Sequence, residues 1–129
     1  KRKSSIKNEK VVVAGDENEF EKVKELLELA APHKMVIGRI EPGNNFTKNS
    51  IASFADLRNV FSFSGAVEII FCEGKLSFKQ IISAMRKVPE HVAIKIFANS
   101  GHAIIGSDDK NETGDIILRK EAESIFDVK

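Results

Sequence analysis

Three short stretches of this chain carry residue types that could do chemistry. Gly15, Asp16 and Glu17 lie in VVVAGDENEF at positions 11–20, Arg39 and Glu41 in MVIGRIEP at 35–42, and Cys72, Glu73, Lys75 and Ser77 in FCEGKLS at 71–77. A β-branched run ending in glycine and passing into an acidic helix start is the arrangement in which helix-terminal amides cradle a diphosphate. A complete cradle has glycine at three positions, here 15, 17 and 20. The residues present are Gly15, Glu17 and Phe20. The second glycine lets backbone approach the phosphates and the third lets helix pack close to strand, so Glu17 sets a negative charge in the phosphate's place and Phe20 is too large for close approach. Asp16, as helix cap, would take amides that an anion needs. Glu41 stands 26 residues beyond Gly15, near the position at which a carboxylate grips a ribose hydroxyl. Lys75 and the amides near Ser77 form the better anion site, set against the plain use of Ser77 as a cap.

Other reactive residues point to little turnover. Cys72 falls at a strand end with no histidine close in sequence to activate it, the pattern of a buried, inert thiol. His33, His91 and His102 show no metal-ligand spacing. DKNETGDI at 109–116 matches the first eight positions of a calcium-binding loop, but its twelfth position is Lys120 instead of glutamate and GHAIIGS before it is strand-like. It reads as a polar turn.

The elements that must position these loops follow from periodicity. Residues 10–15 form a continuous apolar run, as in a parallel strand buried on both faces. Asp16 and Glu19 have capping-box spacing, and Phe20, Val23, Leu26, Leu27 and Ala30 share one helical face up to Pro32. A second strand spans 35–40. Ser53 and Asp56 repeat a cap-like spacing before a second helix carrying Phe54, Leu57, Val60 and Phe61, ended by Gly65 in a left-handed conformation. The third strand, AVEIIFC at 66–72, is apolar apart from Glu68. Ser77 and Gln80 cap a third helix that buries Phe78, Ile81, Ile82, Met85 and Val88, and a fourth strand follows at 92–98. Strand-like pieces at 103–106 and 114–119 pair as a short C-terminal hairpin. This alternation predicts an α/β doubly wound parallel sheet with about three crossover helices.

The bulk numbers bound the function. At 129 residues with 42% apolar content the chain fills one core, and 20 basic against 19 acidic side chains give no basic excess for nucleic acid. One cysteine suits a reducing compartment. The opening KRKSSIKNEK is basic and nearly free of apolar residues, so residues 1–9 read as a linker from a preceding region and 10–129 as a single domain. Basic residues are also favoured just inside a membrane span.

With that order of elements, the chain resembles the Rossmann-like domains, labelled CoA-binding or nucleotide-sugar epimerase-like, of bacterial cell-surface polysaccharide enzymes. The resemblance covers residues 9–118 and rests on VVVAGDENEF, MVIGRIEP and AVEIIFCEGKLSFKQIISAM, and most specifically on AIIGSDDKNETGDII at 103–117. That last segment is similar to one in domains that follow an inverting family-two glycosyltransferase. The resemblance implies a non-catalytic accessory or regulatory domain of a larger glycosyltransferase, cytoplasmic and at the inner face of the membrane. Its implied ligands are NAD(P), CoA or a nucleotide-sugar, and its implied partners are other domains of the parent chain. The short-chain nucleotide-sugar enzymes use a tyrosine and a lysine as acid and base, and this chain has no tyrosine. Two alternatives stand beside this reading: a fragment of an NAD-dependent nucleotide-sugar epimerase or dehydratase, and an interaction or homodimerisation module using exposed phenylalanines around FSFSG at 61–65.

Overall fold

The computed structural model describes residues 9–98 and the strand 103–106. Ten elements run β1 (Glu9–Ala14), α1 (Glu17–Ala30), β2 (Lys34–Glu41), β3 (Ser50–Ser53), a 3-10 turn (Phe54–Asp56), α2 (Leu57–Ser64), β4 (Glu68–Cys72), α3 (Phe78–Met85), β5 (Ala93–Ala98) and β6 (Ala103–Gly106). They build one six-stranded sheet in the order β3-β2-β1-β4-β5-β6. The first five strands in that order are parallel, and β6 closes the edge antiparallel to β5. This is the Rossmann-like, doubly wound α/β arrangement, with α1, α2 and α3 as crossovers.

Alternation along β1 decides which helix covers which face. Val11 and Val13 pack with Ile70, Cys72 and Phe97 beneath Phe20, Val23 and Leu27 of α1. Val12 and Ala14 point the other way, joining Ile69, Phe71, Ile94 and Ile96 beneath Leu57, Val60, Phe61, Ile81 and Met85 of α2 and α3. Strands buried on both faces need apolar residues at every position, and VVVA is fully buried throughout.

The helix ends are set by local chemistry. Asp16 and Glu19 make the expected reciprocal capping box on α1, and Ser77 and Gln80 make one on α3. Gly65 ends α2 at φ +74°, a conformation a Cβ disfavours. The expected cap at Ser53 does not form: Ser53 is the last residue of β3, makes no capping hydrogen bond, and the 3-10 turn intervenes before α2. Phe78, expected in the core, begins α3 and is 38% exposed.

Strand β3 was not expected, and its connection is unusual. Parallel neighbours normally need a crossover of about a dozen residues, often helical. β2 and β3 are joined by residues 42–49 with no helix. At the opposite end of the sheet, buried Glu68 explains the polar break in β4: Lys34 Nζ lies 2.7 Å from its Oε1 and Lys95 Nζ 3.0 Å from its Oε2. Residues 103–106 do belong to an antiparallel pair, with β5 as partner. The piece at 114–119, the calcium-like turn at 109–116, His102 and linker residues 1–8 lie outside the described residues.

Candidate functional site

The sheet order places a crevice between β1 and β4, where the chain winds to one side through β2 and β3 and to the other through β5 and β6. Ligands in such sheets sit beyond the carboxyl ends of the strands at this point. A cleft of about 350 Å³ lies there, lined by Asp16, Glu17, Asn18, Glu41, Pro42, Gly43, Asn45 and Lys75. Of the residues singled out from sequence, Asp16, Glu17, Glu41 and Lys75 meet in this cleft. Gly15, Arg39, Cys72 and Ser77 do not line it.

Each of those four has another role. Gly15 donates its N–H to the Ile40 carbonyl at 3.2 Å, and a Cβ at that position would stand 2.8 Å from the Cys72 Cβ and 2.8 Å from Glu19 Oε1. Glycine there serves close packing of β1 against β4. Ser77 spends both backbone and side chain on α3: its Oγ accepts from the Gln80 N–H at 3.1 Å and its own N–H donates to Gln80 Oε1 at 2.9 Å. Cys72 is fully buried. Burial, then the negative charges of Glu19 and Asp16, push its thiol well above its ordinary pKa, so it stays a neutral thiol.

Arg39 is fully buried and organises the β2–β3 connection. Nη1 donates to the Gly15 carbonyl at 2.9 Å and to Glu41 Oε1 at 2.6 Å, while Nε donates to Asn49 Oδ1 at 3.1 Å. Nη2 faces the Asn45 carbonyl at 3.2 Å, Thr47 Oγ1 at 2.8 Å and Ser50 Oγ at 2.9 Å. A guanidinium has five N–H groups, and six acceptors surround this one. Its hydrogen bonds are spent inside the protein. In place of a helix, one buried cation gathers the loop that forms a wall of the cleft.

Glu41 is thereby held as an anion. Burial alone would raise its pKa, but the hydrogen bond from Arg39, the backbone amides of Gly43 and Asn45, and the guanidinium charge together hold it below the ordinary carboxylate value. Its Oε2 accepts from the Gly43 N–H at 2.7 Å. Glu17 accepts from Asn49 Nδ2 at 3.2 Å, which ties the start of α1 to the same loop. The cleft lining therefore carries three carboxylates and one ammonium, a poor setting for a diphosphate.

Sequence reasoning missed the side chains around Arg39 and gave Glu19 only a capping role. The signal for the first was a basic residue inside an apolar strand followed by NNFTKNS, a run rich in short hydrogen-bonding groups. Glu19 is buried, and its Oε2 also accepts from the Lys75 N–H at 3.3 Å. Of the phenylalanines in FSFSG, Phe61 is buried in the core and Phe63 is 61% exposed. Among the described residues no helix is long and apolar enough to cross a membrane.

No family model and no curated protein matches the sequence. Among solved structures, the chain is similar to UDP-D-quinovosamine 4-dehydrogenase from Vibrio fischeri, with a TM-score of 0.53 and 13% sequence identity over 70% of this chain and 78% of that one. At that identity the likeness is one of fold.

Proposed function

We propose that this is a non-catalytic, nucleotide- or nucleotide-sugar-binding accessory domain of a larger bacterial glycosyltransferase, serving cell-surface polysaccharide synthesis at the cytoplasmic side of the membrane. The observation that carries the binding reading is Glu41: a carboxylate kept ionised at the carboxyl end of β2, on the lining of the switch-point cleft. Such a group accepts hydrogen bonds from a vicinal diol. The nucleoside end of the ligand takes this contact, and the phosphates are left to Lys75 and solvent. The fold-level neighbour, named for its action on a UDP-sugar, supports a nucleotide-sugar as the ligand class. Against turnover stand the neutral, buried Cys72 thiol and the absence of tyrosine.

Titration of the 15N-labelled domain with UMP, UDP-sugars, NAD and CoA tests this reading. The expected result is weak, saturable binding of at least one ribonucleotide, with amide shifts confined to residues 15–18 and 41–45. Glu41→Gln should weaken it by about tenfold or more, the equivalent of one charge-assisted hydrogen bond. A 2′-deoxy ligand should lose a similar factor. No saturable binding of any of the four would eliminate the ligand role and leave a scaffold.

A further inference from the structure

We infer that Glu19 is the residue that denies phosphate to the switch point, because its own carboxylate occupies the place where an anion would be held. The inference deepens the binding reading above and rests on it for the choice of site. Glu19 Oε1 accepts from the Asp16 N–H at 2.8 Å and its Oε2 from the Lys75 N–H at 3.3 Å. These two amides belong to different loops, one following β1 and one following β4, and they converge from both sides of the crevice on a single buried carboxylate. The first contact is the capping box of α1, and the second does not follow from it. A capping box needs only the Asp16 amide, whereas the Lys75 amide lies 56 residues away in sequence.

The packing around the carboxylate is equally committed. Its Oε1 stands 2.8 Å from where a Cβ on Gly15 would be, so the space next to the glycine turn is filled by Glu19 together with Cys72. A tethered carboxylate competes with free anions for these two amides as an intramolecular ligand, without the entropy cost of association. Its burial lifts its pKa above the ordinary value, the signature of a charged group held in a poorly solvated site. Glutamate and phenylalanine where a phosphate cradle would have glycine, at positions 17 and 20, are thus accompanied by an internal anion, and the cleft keeps Glu41 for the uncharged end of a ligand.

Inorganic pyrophosphate is the probe, since it carries no diol and so makes no ribose-type contact with Glu41. Titrated into the 15N-labelled domain, it should bind Glu19→Ala at least tenfold more tightly than the unaltered chain, and Glu19→Gln, which loses the charge but still holds the Asp16 amide, at least threefold more tightly. The Lys75 amide should be among the largest shifts in both, and the Asp16 amide in the alanine variant. Glu19→Gln keeps an oxygen acceptor for the Asp16 amide and so preserves the start of α1 should the alanine variant unfold. Glu17→Gln removes a cleft charge of the same sign without freeing either amide, and it should gain less than threefold. Equal affinities for the folded Glu19 variants and the unaltered chain would overturn the inference. So would an equal gain in Glu17→Gln, or shifts that bypass Asp16 and Lys75. Failure of UMP and UDP-sugars to bind the unaltered chain, with pyrophosphate still gained by the Glu19 variants, would sink the nucleotide reading and leave this one standing.

Discussion

Replacing Arg39 by methionine removes the cation while keeping much of the side-chain volume. The guanidinium is fully buried and its partner Glu41 is 4% exposed, with 2.6 Å between Nη1 and Oε1. Breaking a buried pair from one side costs about 3–5 kcal/mol, because the remaining charge has neither water nor partner. The Gly15 carbonyl loses its Arg39 donor too, and the acceptors on Asn45, Thr47, Asn49 and Ser50 are only part-buried and can turn to water, so their loss adds about 1 kcal/mol together. The total, about 4–6 kcal/mol, is a large share of the roughly 5–15 kcal/mol available to a domain. Urea unfolding followed by circular dichroism measures it, and limited proteolysis should cut first within residues 42–49. Arg39→Lys, with a point charge and no fork, should fall between the two. Arg39→Met/Glu41→Leu should recover about 2 kcal/mol or more relative to Arg39→Met, since it removes the orphaned carboxylate. An Arg39→Met domain within about 1 kcal/mol of the parent, or a double variant no better than the single one, would refute the idea that this ion pair holds the β2–β3 connection.

Two further outcomes follow from the same region. Gly15→Ala should destabilise the domain by about 1–3 kcal/mol, since its Cβ would press on Cys72 and Glu19, and adding Cys72→Ala should restore part of that in thermal melts. Because the folded pKa of Glu41 is depressed, its contribution is fully present above the unfolded carboxylate value of about 4.3 and is lost as pH falls through the lower folded value. Acid unfolding of Glu41→Gln should therefore be flatter than that of the parent as pH falls below the unfolded carboxylate value.

What was legible in the sequence was what depends on near neighbours. The apolar run into Gly15, the Asp16–Glu19 and Ser77–Gln80 spacings and the left-handed stop at Gly65 are each settled within a few residues, and each appears where the pattern places it. SIAS at 50–53 gave no strand signal: four half-buried residues, two of them serine, have neither the length nor the alternation to be read. It becomes a strand because the side-chain fork of Arg39 fastens residues 45–50 beside β2, and a fork with acceptors scattered along a loop leaves no periodic trace. The same holds for the cleft. Glu41 and Lys75 were found by their places at strand ends, whereas the second contact of Glu19 depends on an amide far away in the chain. Arg39 and Cys72 were legible as residues near the crevice. Their being enclosed was not, because enclosure depends on what packs over a side chain.

The Lys34–Glu68–Lys95 cluster has a consequence for how the sheet is assembled. Sliding β4 by a single residue against its neighbours would swing Glu68 through to the opposite side, toward Val12 of β1 and Ile94 of β5, with both ammonium groups abandoned behind it. Uniformly greasy parallel segments tolerate such slippage because every offset buries similar hydrocarbon. One acid between two bases makes the offsets unequal, and it favours the single alignment of β2, β4 and β5 in which both ammonium groups meet the carboxylate.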